Sequence, residues 1–204
     1  MSMLIADTLH EQILKRQRAE SGADRFDEVW DGVTVMSPLA DNEHQDLVGG
    51  LCAVLQAVVT WADLGKVAPG ANVSDRNTGW DKNYRIPDVA VFLRDGQARD
   101  CGTHWLGGPD LAIEITSPGD LTRDKIPFYA AIGTRELLIL ARDSWTLELY
   151  RLDASTLSLV QKATVDSTEP LVSDIVPLQF QLIAGDDRPR IEVRRINAAD
   201  RWTV

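Results

Sequence analysis

A chain of 204 residues, 44% hydrophobic and 25% charged, can bury a substantial core and has ordinary globular composition, with no internal repeat or low-complexity linker. Its 31 acidic against 21 basic side chains leave a formal charge of −10, which opposes a phosphate backbone unless metal ions and a local group of basic residues offset it. No run of 18 apolar residues occurs, the charged segment 1–20 lacks a signal core, and only Cys52 and Cys101 are present, so we expect no membrane span, a cytoplasmic location and reduced thiols.

Leu4, Ile5, Leu9, Ile13 and Leu14 recur at helical spacing and predict a helix over 4–19, stopped at Ser21-Gly22. Asp31-Gly32, between Phe26–Trp30 and Val33–Met36, predicts a tight hairpin, because this dipeptide accepts the positive φ values such turns need. A second helix over about 42–62 carries the broad stripe Leu47, Leu51, Val54, Leu55, Val58 and Val59, which must pack on a sheet. Strands follow at 67–73 and 84–93. The continuous run Val89–Leu93 suits a central strand covered on both faces. LAIEIT (111–116) and ELLILA (136–141) read the same way, and between them lies a helix over about 121–132 in which Pro127 demands a kink or a late start. A hairpin at 145–151 and 156–163, then short strands around a charged loop at 185–190, complete the chain. The pattern predicts one mixed α/β domain.

Two carboxylates stand where carboxylates are costly. Asp88 opens the Val89–Leu93 strand directly after Pro87, and Glu114 interrupts LAIEIT. A buried carboxylate needs a cation, either a basic side chain or a metal. Two strands that each deliver a carboxylate, followed by a helix that delivers Lys125, provide the minimum for metal-assisted phosphodiester hydrolysis. Hard oxygen donors suit Mg²⁺, and a metal of that kind polarises a phosphoryl oxygen and acidifies bound water.

The segments RIPDVAVF (85–92), DLAIEITSPGD (110–120) and RDKIPFYAAIG (123–133) occur in an order that resembles the Uma-two family of restriction endonucleases, within the PD-(D/E)xK superfamily. The resemblance extends to EVWDGVTVMSP (28–38) and His44, and covers about residues 24–152. It implies a restriction-endonuclease-like core, a mixed sheet flanked by helices, with the N-terminal helix (4–19) and a strand-rich extension (about 156–204) appended within a single domain (1–204). It further implies that Asp88 and Glu114 hold Mg²⁺, for which Mn²⁺ can substitute, with the Ile115 backbone carbonyl as a third ligand. Lys125 would replace the superfamily lysine, since Thr116 fills the usual position. Glu28 and His44 would be an extra ligand and a site-lining group. DNA is the implied substrate and a homodimer the implied assembly; the alternative is an inactive dimeric binding or scaffold module that keeps the fold. Where the family carries Glu-Tyr-Trp, this chain has Glu136-Leu137-Leu138, and Pro127 threatens to redirect Lys125.

Arg76, Lys82, Arg85, Arg94, Arg99 and Arg123 cluster around the motif strands and are the candidates for a local positive rim. Trp80 and Trp105 flank the site in sequence and could stack on an unpaired base, although packing is the commoner use of such rings. His10 and His104 have no ligand-like neighbours.

Overall fold

The computed structural model describes residues 8–117 and 119–204. Helix α1 (Thr8–Ser21) covers most of the predicted helix, whose residues 4–7 lie outside the described ones. Strands β1 (Glu28–Trp30) and β2 (Val33–Val35) form the expected hairpin. Its two-residue turn has positive φ at both Asp31 (48°) and Gly32 (87°), as a primed turn requires.

Helix α2 (Asn42–Leu55) is capped by the Asp41 carboxylate, which accepts from the His44 N–H at 2.8 Å, and it runs on into a wide turn at Gln56–Thr60. Strands β3 (Gly65–Pro69), β4 (Val73–Ser74), β5 (Tyr84–Arg85) and β6 (Val89–Leu93) show that the predicted strands over 67–73 and 84–93 are each two strands. Gly70 (φ 61°) breaks the first, and Pro87, which has no N–H to give a ladder, lies in the break of the second.

Short strands β7 (Arg99–Asp100) and β8 (Trp105–Leu106) precede β9 (Leu111–Thr116). A 3₁₀ turn (Thr122–Lys125) then leads into α3 (Ile126–Ala131), with Pro127 in its first turn. Proline is tolerated there because those N–H groups have no intrahelical acceptor. The late start therefore answers the difficulty Pro127 raised. Strands β10 (Glu136–Ala141), β11 (Thr146–Asp153), β12 (Thr156–Ala163), β13 (Leu171–Val172), β14 (Leu178–Ile183), β15 (Arg190–Arg195) and β16 (Arg201–Thr203) complete the fold.

The central sheet has the order β12-β11-β10-β9-β6-β3, with β9 and β10 parallel across the α3 crossover and the other neighbours antiparallel. A second sheet, β2-β1-β5-β4-β8-β7, lies alongside, and the last four strands form an antiparallel meander.

Alternation along the central strands sorts the core into two layers. Val89, Val91, Leu111, Ile113, Ile115, Leu138 and Leu140 pack with α2 and with the meander residues Leu178, Phe180 and Ile191. Ala90, Phe92, Ala112, Leu137 and Ile139 pack with Phe128 and Tyr129 of α3. Leu137 and Leu138, which stand where the family has Tyr-Trp, are buried on opposite faces.

The sheet edge leaves little tolerance. A Cβ on Gly65 would lie 2.2 Å from the Phe92 carbonyl oxygen, in the β3–β6 pair. Gly65→Ala should therefore destabilise the protein by about 1–3 kcal/mol. Urea denaturation checks this, and an unchanged midpoint would contradict the packing at that edge.

Candidate active site

Period-two alternation puts Glu114 on the α3 face of β9, with Ala112. Val89 pairs with Ile113, so continuing the register sets Asp88, just before β6, opposite Glu114. The short β5–β6 link also carries Asp88 from the second sheet, where β1 holds Glu28, into the central one. The two sheets thus converge on one groove of about 710 Å³, lined by Glu28, His44, Asp88, Glu114, Ile115 and Lys125 among others.

The interior of the groove is a tight polar knot. The Lys125 ammonium lies 2.9 Å from Glu28 Oε1 and 3.1 and 3.2 Å from the two oxygens of Glu114. The Tyr129 hydroxyl donates to Glu114 Oε1 at 2.5 Å. Glu28 Oε1 also accepts from the Ile86 N–H at 2.8 Å, and its Oε2 from Trp30 Nε1 at 2.7 Å. Glu28 and Glu114 are both 3% exposed and Lys125 13%. Asp88 sits at the rim, half-buried, its Oδ2 accepting from the Ile115 N–H at 2.7 Å and its Oδ1 lying 3.3 Å from His44 Nε2.

Burial pushes the Glu114 carboxyl up to about 8; Lys125 opposes this, while Asp88 and Glu28 add to it. Lys125 moves the other way for an ammonium: burial works against its charge, but Glu114, Glu28 and Asp88 together outweigh burial and raise its pKa. The two shifts are compatible, because Lys125 faces three carboxylates whereas Glu114 faces one cation and two anions. Tyr129 is raised well above its ordinary value, first by burial and then by the charge of Glu114. Burial also disfavours the His44 imidazolium, yet its hydrogen bond to Asp88 and the charge of Asp88 raise its pKa overall. His44 Nδ1 is buried without a hydrogen-bond partner.

All six expected site residues therefore line one groove, and Glu28 is bound into it as tightly as Glu114. Sequence reasoning gave Tyr129 and Arg142 no role and counted Arg85 toward a positive rim, yet all three hold the site together. Tyr129, quoted there only as a motif residue, clamps Glu114. Arg85 is buried between the rings of Trp30 (4.4 Å) and Phe128 (4.1 Å), behind Glu28. Arg142, also buried, bonds the Thr116 carbonyl at 3.1 Å, Ser117 Oγ at 3.0 Å and the carboxylates of Asp41 and Glu43, each at 2.9 Å. It locks the start of α2, and with it His44, to the end of β9. The signal for Arg142 was its place directly after the ELLILA strand.

The expected positive rim does not form. Arg76 is paired with Asp75, Lys82 with Asp81, Arg94 with Asp63 and Arg123 with Glu148. Arg85 is buried, and none of the six lines the groove. Trp80 stacks on His104 and Trp105 on Phe92, so both rings serve packing.

Among the described residues no three of His, Cys, Asp and Glu converge as a complete ligand shell. Mg²⁺ does not demand one, since it binds through one or two carboxylates and keeps several waters. Each carboxylate offers about four lone-pair directions. The protein donors named above leave one direction free on Glu114 Oε2 and one on each Asp88 oxygen. Hard oxygen donors with free lone pairs, on carboxylates that meet in one groove, fit such an ion.

No curated protein matches the chain significantly. Among solved structures, a "putative nuclease" from Anabaena variabilis ATCC 29413 superposes with a TM-score of 0.55 over 71% of this chain and 80% of its own, at 20% identity, a likeness that establishes the fold. The Uma2 (Uma-two) family model, described as "Putative restriction endonuclease", matches residues 11–185, and the chain belongs to that family.

Proposed function

We propose that the protein is a divalent-metal-dependent nuclease that hydrolyses DNA phosphodiester bonds, with Mg²⁺ held by Asp88 and Glu114. The observation that carries this reading is the buried Lys125 ammonium bonded to Glu28 and Glu114, in a groove that Asp88 also lines. A lysine turned away from the carboxylates would have favoured an inactive scaffold; this one turns in.

The bound ion would polarise the phosphoryl oxygen and lower the pKa of a coordinated water. Lys125 acts as a fixed cation. Its raised pKa removes it as a general base, and its contacts with Glu28 Oε1 and both oxygens of Glu114 fix a positive charge that offsets negative charge developing on the phosphoryl oxygens. Glu28 and Tyr129 hold Lys125 and Glu114 in place, and the Ile115 N–H and His44 orient Asp88. The Ile115 carbonyl stays in this proposal as a third ligand. All of these groups come from one chain, so the chemistry at one site needs no second copy.

The test is hydrolysis of supercoiled plasmid and of oligonucleotides with Mg²⁺ or Mn²⁺. Wild type should cleave only with the metal and Asp88→Ala should not cleave. Equal cleavage by the variant would refute the assignment.

A further inference from the structure

We infer that the groove takes an unpaired nucleic-acid strand in preference to a duplex. The inference rests on the nuclease reading above and concerns which substrate reaches the site. Duplex binding draws its affinity from several Lys and Arg side chains that neutralise phosphates on both strands. Among the described residues, the groove is lined by only two such side chains, Arg25 and Lys125, against Glu28, Asp88, Glu114 and Asp120. Lys125 is already held by two of those acids. Outside the groove, four of the nearest basic residues in sequence are neutralised by Asp or Glu.

What the groove offers in place of charge is flat and apolar surface. Phe26 and Trp30 line it, together with Pro38, Leu39, Val48 and Pro69. Trp30 is fixed by its bond to Glu28 and by the Arg85 guanidinium over its ring. Bases of an unpaired strand stack on such rings whatever their sequence, whereas in a duplex those faces are already stacked. The size agrees, since about 710 Å³ falls in the range of clefts that enclose a small ligand. The floor beyond the carboxylates is one face of α2 and of the turn that continues it, formed by Gln45, Gly49, Cys52, Ala53 and Gln56. At Gly49 an added Cβ would meet nothing within 4 Å, so the floor there is open. A strand can thus lie along α2 with its bases against the apolar wall and one phosphate at Asp88 and Glu114.

Gly49 supplies a test that separates blocking from unfolding. Gly49→Phe replaces a helix-weakening residue where there is space, so its melting temperature should not fall, yet it fills the floor. Leu39→Glu, at a side chain 74% exposed on the groove wall, adds a repelling charge without touching the core. Binding of short labelled DNA and RNA strands, and of the matching DNA duplex, is measured by fluorescence anisotropy on the Asp88→Asn protein with Mg²⁺ across a salt series. Single strands should bind at least about tenfold tighter than the duplex and with a shallow salt dependence, and each groove variant should weaken them about tenfold. The DNA and RNA arms identify which unpaired strand is taken. Duplex binding as tight as single-strand binding, binding of neither, or single-strand binding unchanged in both groove variants would overturn the inference. Wild-type cleavage of duplex but not of single strands would overturn it and leave the nuclease reading standing. Groove-dependent binding of single strands with no hydrolysis of either substrate would sustain it and remove the nuclease reading.

Discussion

Lys125→Met should cost about 3–5 kcal/mol of stability, because it leaves Glu28 and Glu114 buried without the cation that pairs them. Hydrolysis should fall by about a hundredfold to a thousandfold, the usual consequence of removing one aligned electrostatic group. The two effects can be told apart. Glu114 already holds its proton up to about 8, and without Lys125 it will hold it to higher pH, so the destabilisation should be small in mildly acidic buffer and grow as pH rises. Adding Glu114→Gln to Lys125→Met should restore much of the stability and none of the activity. Urea denaturation of the four proteins in this cycle measures the coupling directly. Additive losses would mean that the two side chains do not act as a pair.

The second large effect is a reversal of the usual dependence of stability on pH. Glu114 titrates near 8 in the folded protein and near its ordinary 4.5 when unfolded, so between these values the folded state binds more protons. Stability then falls as pH rises through that window. His44 has the same sign: its raised pKa stabilises below the unfolded value, and that contribution is lost as pH rises through the folded value. The lowered pKa values of Asp41, Asp75 and Glu148 act in acid, outside this range. At about 1.4 kcal/mol per pKa unit, the metal-free protein should lose a few kcal/mol between pH 5 and pH 8. A divalent cation competes with the Glu114 proton, so Mg²⁺ should raise the denaturation midpoint far more at pH 8 than at pH 6. Glu114→Gln should flatten both trends. A midpoint that rises with pH in the absence of metal would contradict this electrostatic description of the groove.

Much of the scaffold was legible because local rules and tertiary packing agree there. LAIEIT and ELLILA become strands at their expected bounds, and they are buried on both faces as continuous apolar runs require. Asp31-Gly32 forms the turn its chemistry demands, and Pro127 starts α3 late. That Asp88, Glu114 and Lys125 meet in one groove was legible from two carboxylates placed on apolar strands and from the resemblance that pairs them with a lysine on the helix after them.

What escaped the sequence depends on contacts between distant segments. Nothing around Glu28 announces that Ile86, fifty-eight residues on, donates to it, or that Lys125 closes the same carboxylate. Four of the six basic residues that counted toward a rim are neutralised by acids, two of those acids distant in sequence: Asp63 for Arg94 and Glu148 for Arg123. The C-terminal segments also reach α2, through an ion pair and a close contact. Arg188 bonds Glu43 at 3.1 Å, next to the Arg142 lock, and an added Cβ on Gly50 would collide with Val204.

Whether the carboxylates of the groove share a metal ion is measured directly by anomalous diffraction from crystals soaked in Mn²⁺. The predicted result is one strong peak between Asp88 and Glu114, within about 2.1 Å of an oxygen of each, with Lys125 still bonded to Glu28. No peak there, with Lys125 bonded to Glu114 as before, would contradict it.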